Sequence, residues 1–177
     1  MRHQGFSLLQ LLFTLLVLAV LLSVAVPGLS WLVLDARRTA DINALVTSIQ
    51  FARSESAKRG VPVVLCKTVD LTACGGSGVF YESGWMVFVD TDNDSPPRRD
   101  ADEPLLYRYQ PVTEGGSIRS NRASYTFRPY YRRSTNGTVT FCDRRGDAAA
   151  RAVIISYTGR PRVSDRCPGD RRLVCAS

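Results

Sequence analysis

Residues 6 to 26, FSLLQLLFTLLVLAVLLSVAV, run for 21 positions without a charged side chain. A helix rising 1.5 Å per residue covers about 30 Å over that length, the hydrocarbon thickness of a bilayer. The segment is therefore expected to span a membrane as one helix. A removable secretory signal has a shorter apolar stretch, roughly 7 to 15 residues, ahead of a small-x-small cleavage site. Ser23-Val24-Ala25 has that local pattern, but the stretch before it is too long. From Pro27 onward polar residues, turn dipeptides and short β-branched runs alternate, as in a water-soluble domain.

The helical pattern does not stop at the apolar segment. Ile42, Leu45, Val46, Ile49 and Ala52 fall at i, i+3, i+4, i+7 and i+10, one apolar stripe, while Arg37, Arg38, Asp41, Arg53 and Glu55 fall mainly elsewhere. Gly60 and Pro62 end the helix and open a strand. The stripe reads as a core face packed on a sheet. Beyond it, VPVVL (61–65), WMVFV (85–89), LLYRY (105–109), SYTF (124–127), TVTF (138–141) and AVIISY (152–157) are short runs between turn signals, Asn136-Gly137 being the strongest. The expected fold class is α+β: a long N-terminal helix, apolar in its first half and amphipathic in its second, packed on an antiparallel sheet.

Charge is unevenly distributed. The formal net charge is +7, and Lys58 and Lys67 are the only lysines. Residues 82–114 hold eight carboxylates against three arginines, whereas residues 119–172 hold thirteen arginines against four aspartates. A cationic last third suits an anionic polymer or an acidic protein face, and equally a solubilising surface. The five cysteines, Cys66, Cys74, Cys142, Cys167 and Cys175, form no CxxC, and the one histidine is His3, so no zinc site is expected. Disulfides place the region on the oxidising side of the membrane with one thiol left over; proximity favours Cys66 with Cys74, and Cys142 with Cys167 or Cys175.

Around Gly5 the basic leader MRHQG meets FSLLQLL, and a proline stands 21 residues after Phe6, at Pro27. These features resemble the class III leader and kinking proline of type IV prepilins and type II secretion pseudopilins. The order ARSESAKRG, VPVVLC, GWMVFVD, NGTVTFCD and ISYTGRPRV resembles the GspH/FimT family of minor pilins and pseudopilins over essentially the whole chain, least so between about 90 and 135, and within it the FimT and FimU branch of type IV pilus minor pilins. The resemblance implies a type IV pilin-like fold with four segments: a leader (1–5), a transmembrane helix (6–27), its amphipathic continuation (28–60) and a periplasmic head (61–177). It also implies cleavage by a prepilin peptidase between Gly5 and Phe6, N-methylation of Phe6, and a single-pass inner-membrane form that later joins other minor and major pilins or pseudopilins at or near a tip. Family members usually carry glutamate where this chain has Gln10, and an amide brings no charge to the neighbouring ammonium.

FimT-type members bind DNA in natural transformation, and a GRxR motif is associated with that binding; here it is Gly159-Arg160-Pro161-Arg162, followed by Arg166, Arg171 and Arg172. Read on its own chemistry, glycine permits a tight turn, proline stiffens it, and two guanidiniums can each meet a phosphate. A plain turn between two strands with exposed arginines fits the same four residues. Tyr130 and Tyr131, beside Arg132 and Arg133, offer stacking on single strands or ordinary packing. The runner-up function is a GspH-like minor pseudopilin acting in protein secretion.

An enzyme is not expected. A chain cut after Gly5 has no histidine, which removes the common Ser-His and Cys-His pairs. Cys74-Gly75-Gly76-Ser77-Gly78 lacks the lysine of a phosphate loop, and no cofactor is expected. Asp90, Asp92 and Asp94 alternate as in an EF-hand, but Ser95 stands where that loop needs glycine and Ala101 where it needs glutamate. The segment is read as a polar loop without a metal.

Overall fold

The computed structural model describes residues 7–112, 115–130 and 133–175, and of residues 24–27 the backbone alone. The expected cleavage point at Gly5 and Phe6, and Tyr131 and Arg132, lie outside the described residues. One helix, α1 (Leu8–Arg59), occupies the first third, and its backbone is helical through Pro27. Two compact units divide the chain between Ala36 and Arg37.

In the first unit α1 is long and apolar enough to cross a membrane, and Leu9, Phe13 and Leu16 are exposed. Two of its hydroxyls are satisfied within the helix: Thr14 Oγ1 donates to the Leu11 carbonyl at 2.8 Å and Ser23 Oγ to that of Val20 at 2.7 Å. Such back-bonding removes the cost of a hydroxyl in apolar surroundings.

In the second unit α1 continues to Lys58 and Arg59, two cations that suit the negative end of the helix dipole. Gly60, at φ +74°, then turns the chain while its N–H caps the Ser56 carbonyl at 2.9 Å. Eight strands follow: β1 (Val63–Lys67), β2 (Trp85–Val89), β3 (Leu105–Tyr109), β4 (Ser117–Ser120), β5 (Ser124–Phe127), β6 (Gly137–Cys142), β7 (Arg151–Ile155) and β8 (Pro161–Ser164). They form two antiparallel sheets rather than the one expected, ordered β3-β2-β1-β5 and β4-β6-β7-β8.

The core joins both sheets to the predicted helical stripe. Ile42, Leu45, Ile49 and Ala52 are buried and Val46 partly so. They share one cluster with Val63, Leu65, Trp85 and Val87 of the first sheet, Tyr125 and Phe127 of β5, and Val139, Val153 and Ile155 of the second. The alternate residues of β1 and β2, Val64, Cys66, Met86 and Phe88, point the other way into a smaller cluster with Cys74 and Leu105. Period-two alternation thus serves two apolar environments, which is why β2 is buried at every position. A third cluster sets Ala150, Ala152 and Cys142 against Leu173 of the C-terminal tail.

Both disulfides belong to these satellite clusters. Cys66 bonds Cys74, and Cys142 bonds Cys175, which decides the alternative left open by spacing; Cys167 is the half-buried free thiol. The bond at Cys142 closes a loop of 33 residues and straps the tail to the second sheet.

Polar groups on the buried side of α1 are matched individually. Trp85 stacks on Tyr109 with ring centroids 4.6 Å apart and donates its indole N–H to Ser48 at 3.0 Å. Asp41, fully buried, accepts from the Tyr109 hydroxyl at 3.0 Å and the Val112 N–H at 2.9 Å. The Ser56 hydroxyl lies 2.9 Å from the carbonyls of Val61 and Phe127. Arg38 donates to the Ala149 carbonyl and stands 3.6 Å from Asp143, whose other partner, Arg145, approaches to 2.6 Å. Arg38 and Asp41, assigned by pattern to the face away from the core, are thus buried, and this is a correction.

Burial alone pushes the Asp143 carboxyl up, but the hydrogen bonds and charge of Arg145, with the charge of Arg38 behind them, outweigh it and hold the group below the ordinary aspartate value. A depressed carboxylate stabilises the fold above its unfolded value, near 3.9, and that stabilisation is lost as pH falls through the folded value. Asp143→Ala is expected to cost about 3 to 5 kcal/mol at pH 7, because it leaves two arginines facing an empty, buried site. The cost shrinks as pH falls below about 4, where the unfolded chain's carboxylate takes up a proton while the folded one still holds its charge, and it is lost once pH passes the folded value. Urea unfolding of the full chain in detergent at pH 7 and pH 3.5 measures both.

A candidate nucleic-acid interface

The GRPR segment lies where β7 turns into β8. Ser156 N–H donates to the Arg160 carbonyl at 3.1 Å and Gly159 N–H to the Ser156 carbonyl at 2.8 Å, closing the hairpin, while Pro161 and Arg162 already belong to β8. The sequence reading of this segment as an inter-strand turn with exposed arginines describes its geometry. Gly159 is required here for two reasons. Its φ is +70°, and a Cβ would stand 3.0 Å from Arg53 Cδ on α1 and 3.0 Å from the buried Phe127 ring. The turn therefore lies directly against the helix.

That contact creates the site. Arg53 of α1, Arg128 at the end of β5, Arg133 of the following loop and Arg160 of the turn line a cavity of about 440 Å³ together with Tyr130 and Tyr157. No carboxylate is among its lining residues, and none of the four arginines has an ion-pair partner among the described residues. Arg133 sits 5.5 Å from the Tyr157 ring centroid in a cation–π arrangement. Tyr130 is 78% exposed and Tyr157 56%, so both rings present faces to solvent beside the cations. Tyr130 adopts φ +57°, left-handed backbone that a bulky residue rarely takes.

The other predicted arginines go elsewhere. Arg162 and Arg166 line a separate depression with Asp165 and Asp170, and Arg166 pairs with Asp170 at 3.0 Å. Arg172 meets Arg166 across an isolated bridge and lines a third depression with Asp147, Arg151 and Asp165. Arg171 is exposed on the same hairpin, its carbonyl accepting from the Cys167 N–H at 2.9 Å. Of the arginines predicted in and after the GRPR motif Arg160 alone joins the cavity; Tyr130 and Arg133, offered for stacking, line it too, and no pattern in the chain pointed to Arg53 or Arg128. The one available signal was Gly159, whose need for close approach names no partner.

Of the residues expected to act in assembly, Gln10 is exposed on the first turns of α1, lining a shallow apolar depression with Leu9, Leu12, Phe13 and Leu16. Pro27 lies within the helix, its side chain outside the described residues.

Four unneutralised guanidiniums around one concavity, with two exposed aromatic rings, are equipped to take phosphates and stack bases. No curated protein matches the chain. Among solved structures, two crystal forms of the type IV minor pilin FimU from Pseudomonas aeruginosa are similar. One has a TM-score of 0.52 at 16% identity, covering 75% of this chain and 96% of that one; the other has 0.53 at 17%, covering 77% and 93%. At such identities the likeness concerns the fold: a long helix packed on antiparallel sheets. The family model described as type II transport protein GspH matches residues 41–159, from the buried half of α1 to the glycine of the hairpin, and the chain belongs to the GspH family of minor pilins and pseudopilins.

Proposed function

We propose that the protein is a minor pilin of a type IV pilus that takes part in assembly at the pilus tip and binds DNA there during natural transformation. The observation that carries the DNA reading is the cavity of Arg53, Arg128, Arg133 and Arg160, whose positive charge no lining carboxylate offsets. Phosphate contacts of this kind supply affinity without reading sequence, which suits uptake of arbitrary DNA. Tyr130 and Tyr157 add sequence-tolerant stacking, so single strands are the favoured form. Arg162, Arg166 and Arg172 line other depressions together with aspartates, Arg166 being paired with Asp170, and with Arg171 they stand outside this cavity.

On this reading a prepilin peptidase cuts between Gly5 and Phe6 and methylates Phe6. The apolar segment 6–27 then anchors the protein in the inner membrane, with the head in the periplasm, before it joins other pilins. Gln10 faces a neighbouring subunit's terminal ammonium with an amide dipole in place of a charge, which weakens that contact and suits a subunit present in few copies. The description of the matching family as a type II transport protein favours a second reading, a minor pseudopilin acting in protein secretion. A deletion strain that loses secretion while keeping pili and transformation selects it.

Three outcomes follow for the full chain in detergent. Arg53→Ala with Arg160→Ala is expected to weaken single-stranded DNA binding at least tenfold at 0.1 M salt. The same pair lowers the slope of log affinity against log salt by about 1.4, the share of two phosphate contacts; unchanged affinity and slope defeat the DNA reading. Gly159→Ala strains the turn by about 1 to 2 kcal/mol and pushes it from Arg53, so binding falls while the far-ultraviolet circular dichroism holds. Mass spectrometry of the membrane form is expected to find a chain beginning at methylated Phe6, and a start near Val26 removes the pilin reading of the N-terminus.

A further inference from the structure

The loop between β2 and β3 leaves the first sheet at Asp90 and returns at Pro104, its ends tied by the Val89 N–H to the Pro104 carbonyl at 3.0 Å. An EF-hand register fails on this loop, yet the fold brings its acids together in another way. Carboxylate oxygens of Asp90, Asp92 and Glu103 lie within 4.8 Å of one another, although Glu103 is thirteen residues from Asp90. Two oxygens on opposite sides of a calcium ion, each at about 2.4 Å, are separated by about that distance.

The acids are not a solvated surface cluster. Asp90 is 1% exposed and Glu103 2%, and only Asp92 faces water. Glu103 is held by the Thr91 N–H at 2.7 Å and the Asp100 N–H at 3.1 Å. Asp90 Oδ1 takes the Asn93 N–H at 2.7 Å, but its Oδ2 is buried with no hydrogen-bond partner. A buried carboxylate oxygen left without a donor is costly, and a fold keeps one where something else answers it. Arg99 of the same loop is committed elsewhere: it donates to the backbone carbonyls of Glu103 and Thr72. No ion pair links the three carboxylates to a lysine or arginine among the described residues.

We infer that Asp90, Asp92 and Glu103 form a binding site for a hard divalent cation of the calcium class, with Asp90 Oδ2 as its buried ligand and Asp92 as its solvent-side ligand. Three carboxylates supply the oxygen donors and negative charge that calcium prefers, and the open side at Asp92 leaves room for water to complete six to eight ligands. The irregular spacing of a loop suits calcium better than magnesium, which demands near-ideal octahedral geometry. An ion here would fasten the loop to the ends of β2 and β3.

The test uses the full chain in detergent, freed of metal with a chelator that is then removed, and calcium chloride as the probe. Calcium is expected to raise the unfolding temperature by about 3 to 6 °C at ten times its Kd, beyond any effect of sodium chloride at matched ionic strength, with magnesium much weaker. Asp90→Asn abolishes the calcium response and raises the unfolding temperature of the metal-free protein, because it removes the buried charge. Asp92→Asn, a surface change, weakens calcium affinity at least tenfold and leaves the metal-free protein as stable as the parent. A parent response no larger than that to sodium chloride, or either variant responding like the parent, overturns the inference.

Discussion

The face of α1 that carries Ile42, Leu45, Ile49 and Ala52 has to leave water, and neither four-stranded sheet supplies the whole of its cover. The first sheet brings Trp85 and Val87 and the second brings Val139, Val153 and Ile155, so the helix is what makes two sheets one core. At about 25 cal/mol per Å² of apolar surface removed from water, such a shared cluster is the main favourable contribution in the unit. The polar contacts along it, Ser48 with Trp85, Asp41 with Tyr109 and Arg38 with Asp143, keep the helix from sliding or rolling in that bed. They add definition more than stability, because each replaces hydrogen bonds that water already provided.

Since the helix fixes where both sheets lie, it also fixes what gathers at their margins. Arg53 lies one position past the last buried residue of the stripe, and the β7–β8 turn presses its glycine against that side chain. The basic cavity is therefore an edge product of core packing. Arg128 and Arg133 arrive there because β5 ends beside the helix C-terminus, where Ser56 reaches the Phe127 carbonyl. A group of like charges with no acid among them repels itself, and a fold that keeps them together leaves electrostatic attraction available to an anion.

Much of this was legible in the chain. WMVFV, LLYRY and SYTF are strands at the boundaries their apolar runs mark, and the stripe on α1 is the buried face. β4 went unseen, and β8 was implied only as the strand after the GRPR turn, because each is an edge strand of the second sheet, offering a single branched apolar residue in four, too little for a period to register. The burial of Arg38 and Asp41 was illegible for another reason: their partners stand 111 and 68 residues away, and a charged side chain announces solvent until its counterpart is known. The cavity shares that difficulty, since Arg53, Arg128 and Arg160 become neighbours only through the tertiary fold. The carboxylates of the β2–β3 loop defeat motif matching likewise, for Glu103 joins Asp90 by the return of the chain and not by a fixed interval.

Between Leu8 and Ser23 the polar side chains are Gln10, Thr14 and Ser23, and the two hydroxyls are already spoken for by carbonyls of their own helix. Around its axis this rod is thus chemically uniform save for one carboxamide. Transferred from lipid to the flank of a like rod, it would meet the same greasy contacts at every rotation, and the orientation it finally keeps would be chosen by whatever satisfies that single amide.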